Sequence, residues 1–150
     1  MKSHVGVVQM NSSDNVEGNL AFAKLKIEQA ANEGLDLISF PETFLYIGND
    51  HQKKRNAAQT LNGEVVQAFR DLAIKFKLSI LMGSIYEQIP DDDRLFNTSI
   101  LINQQGDIDA IYRKIHLFDA PLLGHQESDG IKAGSNTVVI DHEIGKIGLT

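Results

Sequence analysis

Three side chains sit where acid–base or electrostatic chemistry would need them. Glu42 follows an apolar stretch in Ser39-Phe40-Pro41-Glu42-Thr43-Phe44. If that stretch is a strand of an open α/β sheet, the carboxylate lies where such sheets gather ligands, outside the carboxyl ends of their strands. Among Phe40, Phe44 and Leu45 it is expected to be semi-buried with a raised pKa, which suits a general base. Lys114, in Tyr112-Arg113-Lys114-Ile115-His116-Leu117, stands between apolar neighbours at another strand end. An ammonium there meets negative charge as it develops in a transition state. Glu127, in His125-Gln126-Glu127-Ser128, belongs to a long loop, where functional groups concentrate. On residue type alone the plain readings stand beside these: a capping or surface Glu42, a snorkelling Lys114 and a solvated Glu127.

Other chemistries find no foothold. The chain has no cysteine, so a disulfide framework, a thiolate zinc site and a cysteine nucleophile are excluded within residues 1–150. His4, His51, His116, His125 and His142 lack metal-ligand spacing and read as solvated or capping. No serine stands in G-x-S-x-G, and neither a P-loop nor G-x-G-x-x-G follows the first strand, which leaves a flavodoxin-like nucleotide binder poorly supported. Asp91-Asp92-Asp93 lacks the glycine and terminal glutamate of a calcium loop and reads as a hairpin tip. No metal or organic cofactor is expected. With 14 Lys plus Arg against 20 Asp plus Glu the net charge is -6, and Lys53-Lys54-Arg55 is too short a basic run to bind nucleic acid. No apolar run approaches bilayer-spanning length, and the first ten residues are too short and polar for a signal peptide. No membrane partner is expected, and the cytoplasm is the default location.

The elements that must carry these groups follow from hydrophobic patterning. Hydrophobic residues at 42% and charged residues at 23% are ordinary globular usage, and 150 residues suffice for one domain. Val5 to Gln9 reads as a strand. Leu20, Ala23, Ile27, Ala30 and Ala31 give a helix, capped by Asp14 or Asn15 and ended by Gly34. Leu35 to Phe40 is a second, more buried strand, stopped by Pro41. Gly63 to Lys77 is a second helix and Leu78 to Gly83 a third strand. This alternation predicts an α/β fold with largely parallel strands covered by helices. Beyond Gly83 the rhythm changes. Leu95–Asn103 and Asp107–Arg113 form a predicted hairpin through Gln104-Gln105-Gly106, then a polar segment runs from His116 to Asn136. Thr137–Ile140 and Lys146–Leu149 are two further short strands. The sequence stops inside the second of these, at Ile147-Gly148-Leu149-Thr150, which reads as a truncation.

Taken in order, these segments resemble the nitrilase, or carbon–nitrogen hydrolase, superfamily. Val5-Gly6-Val7-Val8-Gln9-Met10 is similar to its first strand, and Asp36 to Phe44 to its glutamate motif. Phe96-Asn97-Thr98-Ser99 and Tyr112 to Asp119 are similar to its asparagine and lysine motifs. Gln126-Glu127-Ser128 and Gly145 to Thr150 complete the series. Within the superfamily the nearest resemblance is to the Nit amidases, which act on small ω-amides and deaminated glutathione.

The resemblance implies that residues 1–150 are the N-terminal portion of an αββα sandwich. It also implies acyl transfer, in which a cysteine thiolate attacks an amide or nitrile carbon and forms a thioester-type intermediate. Glu42 would be the general base, Lys114 the oxyanion stabiliser, and Glu127 a second glutamate orienting Lys114 or the substrate. The family's cysteine directly follows the Gly-Lys-Ile-Gly-Leu strand, placing it just past Thr150. Thr150 is no substitute, since a hydroxyl lacks the accessible pKa of a thiol. The 150 residues alone are therefore expected to be inactive, and the complete protein to be a homo-oligomeric amidase taking a small-molecule amide. The alternative is a half-length, non-catalytic homologue that binds a small amide or a partner subunit.

Overall fold

The computed structural model describes residues 2–150, the side chains of Leu123 and His125 excepted, so the reading for His125 lies outside the described side chains. The first half alternates as its patterning requires. Strand β1 (Val5–Val7), helix α1 (Val16–Asn32) and strand β2 (Leu37–Ser39) are followed by helix α2 (His51–Ala57), helix α3 (Glu64–Phe76) and strand β3 (Ser79–Leu81). β1, β2 and β3 pair in parallel, Val5 opposite Leu37 and Leu37 opposite Ser79. Asn15 caps α1, its side chain accepting the Gly18 N–H at 3.0 Å. Gly34 (φ 69°) then takes the left-handed conformation that turns the chain out of the helix.

Past β3 the sheet becomes antiparallel. β4 (Ile85–Gln88), β5 (Leu95–Ile102) and β6 (Ile108–Arg113) complete six strands. β5 is the axis. Its one edge carries β3 at Leu101–Ile102 and β4 at Leu95–Thr98, while β6 lies along the other. The corner at Gly83-Ser84 bends the chain so that β3 and β4 share that edge. The polar segment folds into a small ladder, β7 (Asp119–Ala120) against β8 (His125–Gln126). A hairpin of β9 (Val138–His142) and β10 (Gly145–Leu149) ends the described chain.

Side chains alternate across a strand, so each face of the sheet receives its own set. One face presents Ile38, Phe40, Ile80, Met82, Ile100 and Ile102 to the apolar stripes of α1 and α3, chiefly Ala23, Ile27, Val66, Phe69 and Ala73. The other face presents Leu37, Leu101, Ala110 and Tyr112, which are covered by Leu149 and by Val138, Ile140 and Ile147 of the hairpin. The layers are helix, sheet, then hairpin. α2 and β4 have no counterpart in the sequence patterning. Along α2 only Ala57 is buried, so no apolar stripe marks it; its signal was the capping Asp50, which accepts the Lys53 N–H at 2.9 Å. β4 buries a glutamate, Glu87, at 5% exposure, and a buried charge breaks the strand pattern. The basic run lies on α2 and is spent locally, Lys53 pairing with Asp14 at 2.7 Å and Lys54 lying over the Tyr86 ring. No helix among the described residues is long and apolar enough to cross a membrane.

Candidate functional site

The site lies outside the carboxyl end of β2 and the end of β6. Phe40 and Phe44 bracket Glu42, and their rings pack with each other at 5.3 Å between centroids and with Phe69 of α3 at 5.8 and 5.5 Å. Burying each ring contributes about 1.5–3 kcal/mol, so the loop is anchored on both sides of the carboxylate. Between the anchors the backbone turns sharply, with Thr43 at φ 47°, a conformation a β-branched residue adopts only when its surroundings impose it. Ser84 supplies part of that constraint: its Oγ accepts the Thr43 N–H at 2.8 Å. Gly83 supplies the rest. A Cβ there would lie 2.2 Å from the carbonyl oxygens of both Phe40 and Pro41.

Lys114 is the first residue beyond β6. Its N–H donates to the Asn97 carbonyl at 2.8 Å and its carbonyl accepts the Gly134 N–H at 2.9 Å. The side chain projects from the hairpin-facing side of the sheet, two positions beyond Tyr112 on the same face. Its Nζ lies 3.0 Å from Glu42 Oε1 and 3.1 Å from Glu127 Oε2. Asn97 Nδ2 donates to Glu42 Oε1 at 2.7 Å. Glu127 holds its own loop as well, Oε2 accepting the Phe118 N–H at 2.6 Å.

The three residues anticipated from type and position therefore come together, both glutamates converging on the Lys114 ammonium. Glu127 is not solvated, as its loop alone suggested. Its side chain is 15% exposed, against 25% for Lys114 and 60% for Glu42. A cavity of about 460 Å³ opens beside the group, lined among others by Glu42, Asn97, Lys114, His116, Leu149 and Thr150. Glu127 stands behind Lys114 rather than on that lining.

The electrostatics correct one expectation. Glu42 was to have a raised pKa. Burial does push its carboxyl upward, but the hydrogen bonds from Lys114 and Asn97 and the Lys114 charge outweigh burial and hold it below the ordinary value. The desolvation of a carboxylate that remains open on one side is outweighed once donors and a cation bond it on the other. For Lys114 burial acts downward, and the hydrogen bonds and charges of Glu42 and Glu127 more than reverse it, keeping the ammonium charged. Tyr86, opposite Asn97 in the β4–β5 ladder, is pushed up to about 12 by burial and by the charges of Glu127 and Glu42. That places its ring within the field of the site. Neither Tyr86 nor Ser84 was legible as a site residue, because each depends on β4 being recognised as a strand.

Residues 4–150 match the carbon-nitrogen hydrolase family. The chain belongs to that family. It is 35% identical over 156 residues to the deaminated glutathione amidase of Dictyostelium discoideum, covering 97% of this chain and 54% of that one. It is 34% identical to the omega-amidase NIT3 of Saccharomyces cerevisiae, with 99% and 54% covered. The crystal structure of the Caenorhabditis elegans NitFhit protein superposes with a TM-score of 0.91 at 30% identity, over the whole of this chain and 38% of that one. Saccharomyces cerevisiae Nit3, a member of branch 10 of the nitrilase superfamily, gives 0.80 at 31% identity. The fold is thus part of the nitrilase-type αββα sandwich, and the chain spans about half the length of the curated carbon–nitrogen hydrolase relatives named here.

Proposed function

We propose that residues 1–150 are the N-terminal part of a carbon–nitrogen hydrolase domain that hydrolyses a small amide, with its cysteine nucleophile immediately after Thr150. The observation that carries this reading is the single ammonium, Lys114 Nζ, held 3.0 Å from Glu42 and 3.1 Å from Glu127 beside a cavity that the end of β10 also lines. A thiol following Thr150 would enter that cavity. Glu42 takes its proton, the thiolate attacks the amide carbon, and the oxyanion of the tetrahedral intermediate forms against Lys114. Glu42 returns the proton to the leaving ammonia and then activates the water that opens the thioester.

Magnitudes assign Lys114 a second task. Moving a proton from a free thiol near pKa 8.5 to a carboxyl below the ordinary glutamate value costs at least about 6 kcal/mol. An ammonium that stabilises the thiolate as well as the oxyanion offsets part of this. Glu127 aims Lys114 from the side away from the cavity and, together with Glu42, keeps it charged. The names of the relatives favour an amide over a nitrile, and a homo-oligomer is the expected complete form. The test is ammonia release from small ω-amides by the complete protein carrying these residues. We expect turnover to be abolished by thiol alkylation and cut by about 10²–10⁴-fold in Glu42→Gln. The isolated 150 residues are expected to show none. Turnover that survives alkylation would overturn the reading.

A further inference from the structure

Asn97 holds both principal groups of the site. Its side chain is nearly inaccessible, the residue being 3% exposed, in the middle of the sheet on β5. Its Nδ2 donates to Glu42 Oε1 at 2.7 Å, while its carbonyl receives the Lys114 N–H at 2.8 Å. One rigid strand residue therefore fixes the base by its side chain and the cation by its backbone. The two oxygens of Glu42 are consequently not equivalent. Oε1 accepts from both Asn97 and Lys114, the latter at 3.0 Å, whereas among the described residues no hydrogen bond reaches Oε2. An oxygen with two donors already aimed at it is a poor proton acceptor, because taking a proton there forfeits a charge-assisted bond.

We propose that Asn97 is a positioning residue that fixes Glu42 through Oε1 and leaves Oε2 as the oxygen that accepts the nucleophile's proton. This rests on the reading of Glu42 as the base. Without the amide donor Glu42 keeps one tether, the flexible Lys114, and its two oxygens can exchange places by rotation of the carboxylate. The ionised form also loses a hydrogen bond that favours it.

The experiment pairs Asn97→Leu, which removes the donor at similar volume, with Asn97→Asp, which keeps the shape and cannot donate when ionised. Both are made in the complete protein and read in two ways. In the pH profile of kcat/KM for a small ω-amide, the acid limb is expected to move up by about one pH unit. Activity one unit below the wild-type limb should fall about tenfold, with KM changed less than twofold. In the second reading, ¹³C NMR titration of labelled glutamate carboxyls should show the Glu42 resonance titrating higher in both variants, whether or not the protein turns over amides. A merely structural Asn97 would lower activity evenly across pH and leave the Glu42 titration in place, which overturns the proposal. If the Glu42 titration moves but the wild-type protein releases no ammonia, the positioning stands and the amidase reading fails. If wild type is active and neither the limb nor the titration moves, the positioning fails alone.

Discussion

Replacing Gly83 by alanine should disturb the molecule more than its size suggests, and Gly34 provides the control. Both glycines have positive φ, 56° and 69°, so alanine at either pays about 1–2 kcal/mol for the left-handed conformation. They differ in what a Cβ meets. At Gly34 nothing lies within 4 Å, whereas at Gly83 two backbone oxygens lie at 2.2 Å. Restoring ordinary contact there requires the strands to part by about 1 Å, an overpacking cost of about 1–3 kcal/mol. Neither side yields freely. The Phe40 ring is wedged against Phe44 and Phe69, and Met82 is tied to the Ile100 carbonyl at 2.8 Å. Whichever side moves, Glu42 is affected: shifting Phe40–Pro41 carries it away from Asn97 and Lys114, and shifting Ser84 releases Thr43. Urea denaturation should therefore give a loss of about 3 kcal/mol for Gly83→Ala and about 1 for Gly34→Ala. On the proposed reading of Glu42 as the base, Gly83→Ala in the complete protein should also lose about 100-fold in kcat, the expected consequence of displacing that group by about 1 Å, while Gly34→Ala keeps full activity. Equal destabilisation of the two variants, or a Gly83→Ala protein with wild-type kcat, would refute the interlocking of the glutamate loop with the β3–β4 corner.

Two further outcomes follow from the charges. The site should shape the pH dependence of stability at both ends. Glu42 is held low, so its contribution is present above the unfolded carboxyl value and fades as pH falls through the folded one; Lys114 is held high, so its contribution fades as pH rises through its raised folded value. The difference in urea midpoint between wild type and Lys114→Met should accordingly be flat around neutrality and shrink in acid, and a difference that grows in acid would contradict it. At the half-buried pair, Arg113 reaches Glu87 by two hydrogen bonds of 2.6 and 2.7 Å, with Glu87 6% and Arg113 37% exposed in their side chains. Arg113→Met strands the buried carboxylate and should cost about 3–5 kcal/mol, whereas Glu87→Gln leaves a guanidinium that can reach water and a group that still accepts from Thr98, at about half that cost. Denaturation curves that rank the two variants the other way would show that the pair is not held as described.

The legible parts of this molecule were those in which local pattern and tertiary role agree. α1 and α3 carried apolar stripes because each covers one face of one sheet, and Glu42 and Lys114 stood out because they follow strands. What escaped was structure held by polar residues. β4 was hidden by Glu87, which reads as solvent-facing until Arg113 is brought from 26 residues away to neutralise it. Glu127 looked solvated because its partners, Lys114 and the Phe118 N–H, meet it only once the β7–β8 ladder closes. The pKa of Glu42 was misjudged for a related reason. Its apolar neighbours are adjacent in sequence and visible, while the donors that lower it come from β5 and the end of β6.

The pair of Arg113 with the buried Glu87 has a part in the site although it points away from it. Along β5 and β6 polar residues occupy both faces. Asn97, Ser99, Tyr112 and Lys114 lie on the cavity side, and Thr98 and Arg113 on the helix side with Glu87, with Thr98 opposite Arg113 and Ser99 opposite Tyr112. A slip of one residue exchanges the sets, because side chains alternate with period two. The β5–β6 ladder already contains an irregularity at Leu101–Ile102, so its register is not fixed by uniform pairing alone. The fork of Arg113 onto Glu87 supplies the missing discrimination. After a slip that turned Lys114 toward Glu87, a point charge would replace a planar two-bond donor, one carboxylate oxygen would lose its partner in a dry setting, and Glu42 would lose its cation. The cost falls on both faces at once. Lys114 is thus directed into the cavity partly by what its neighbour must satisfy on the opposite side of the sheet.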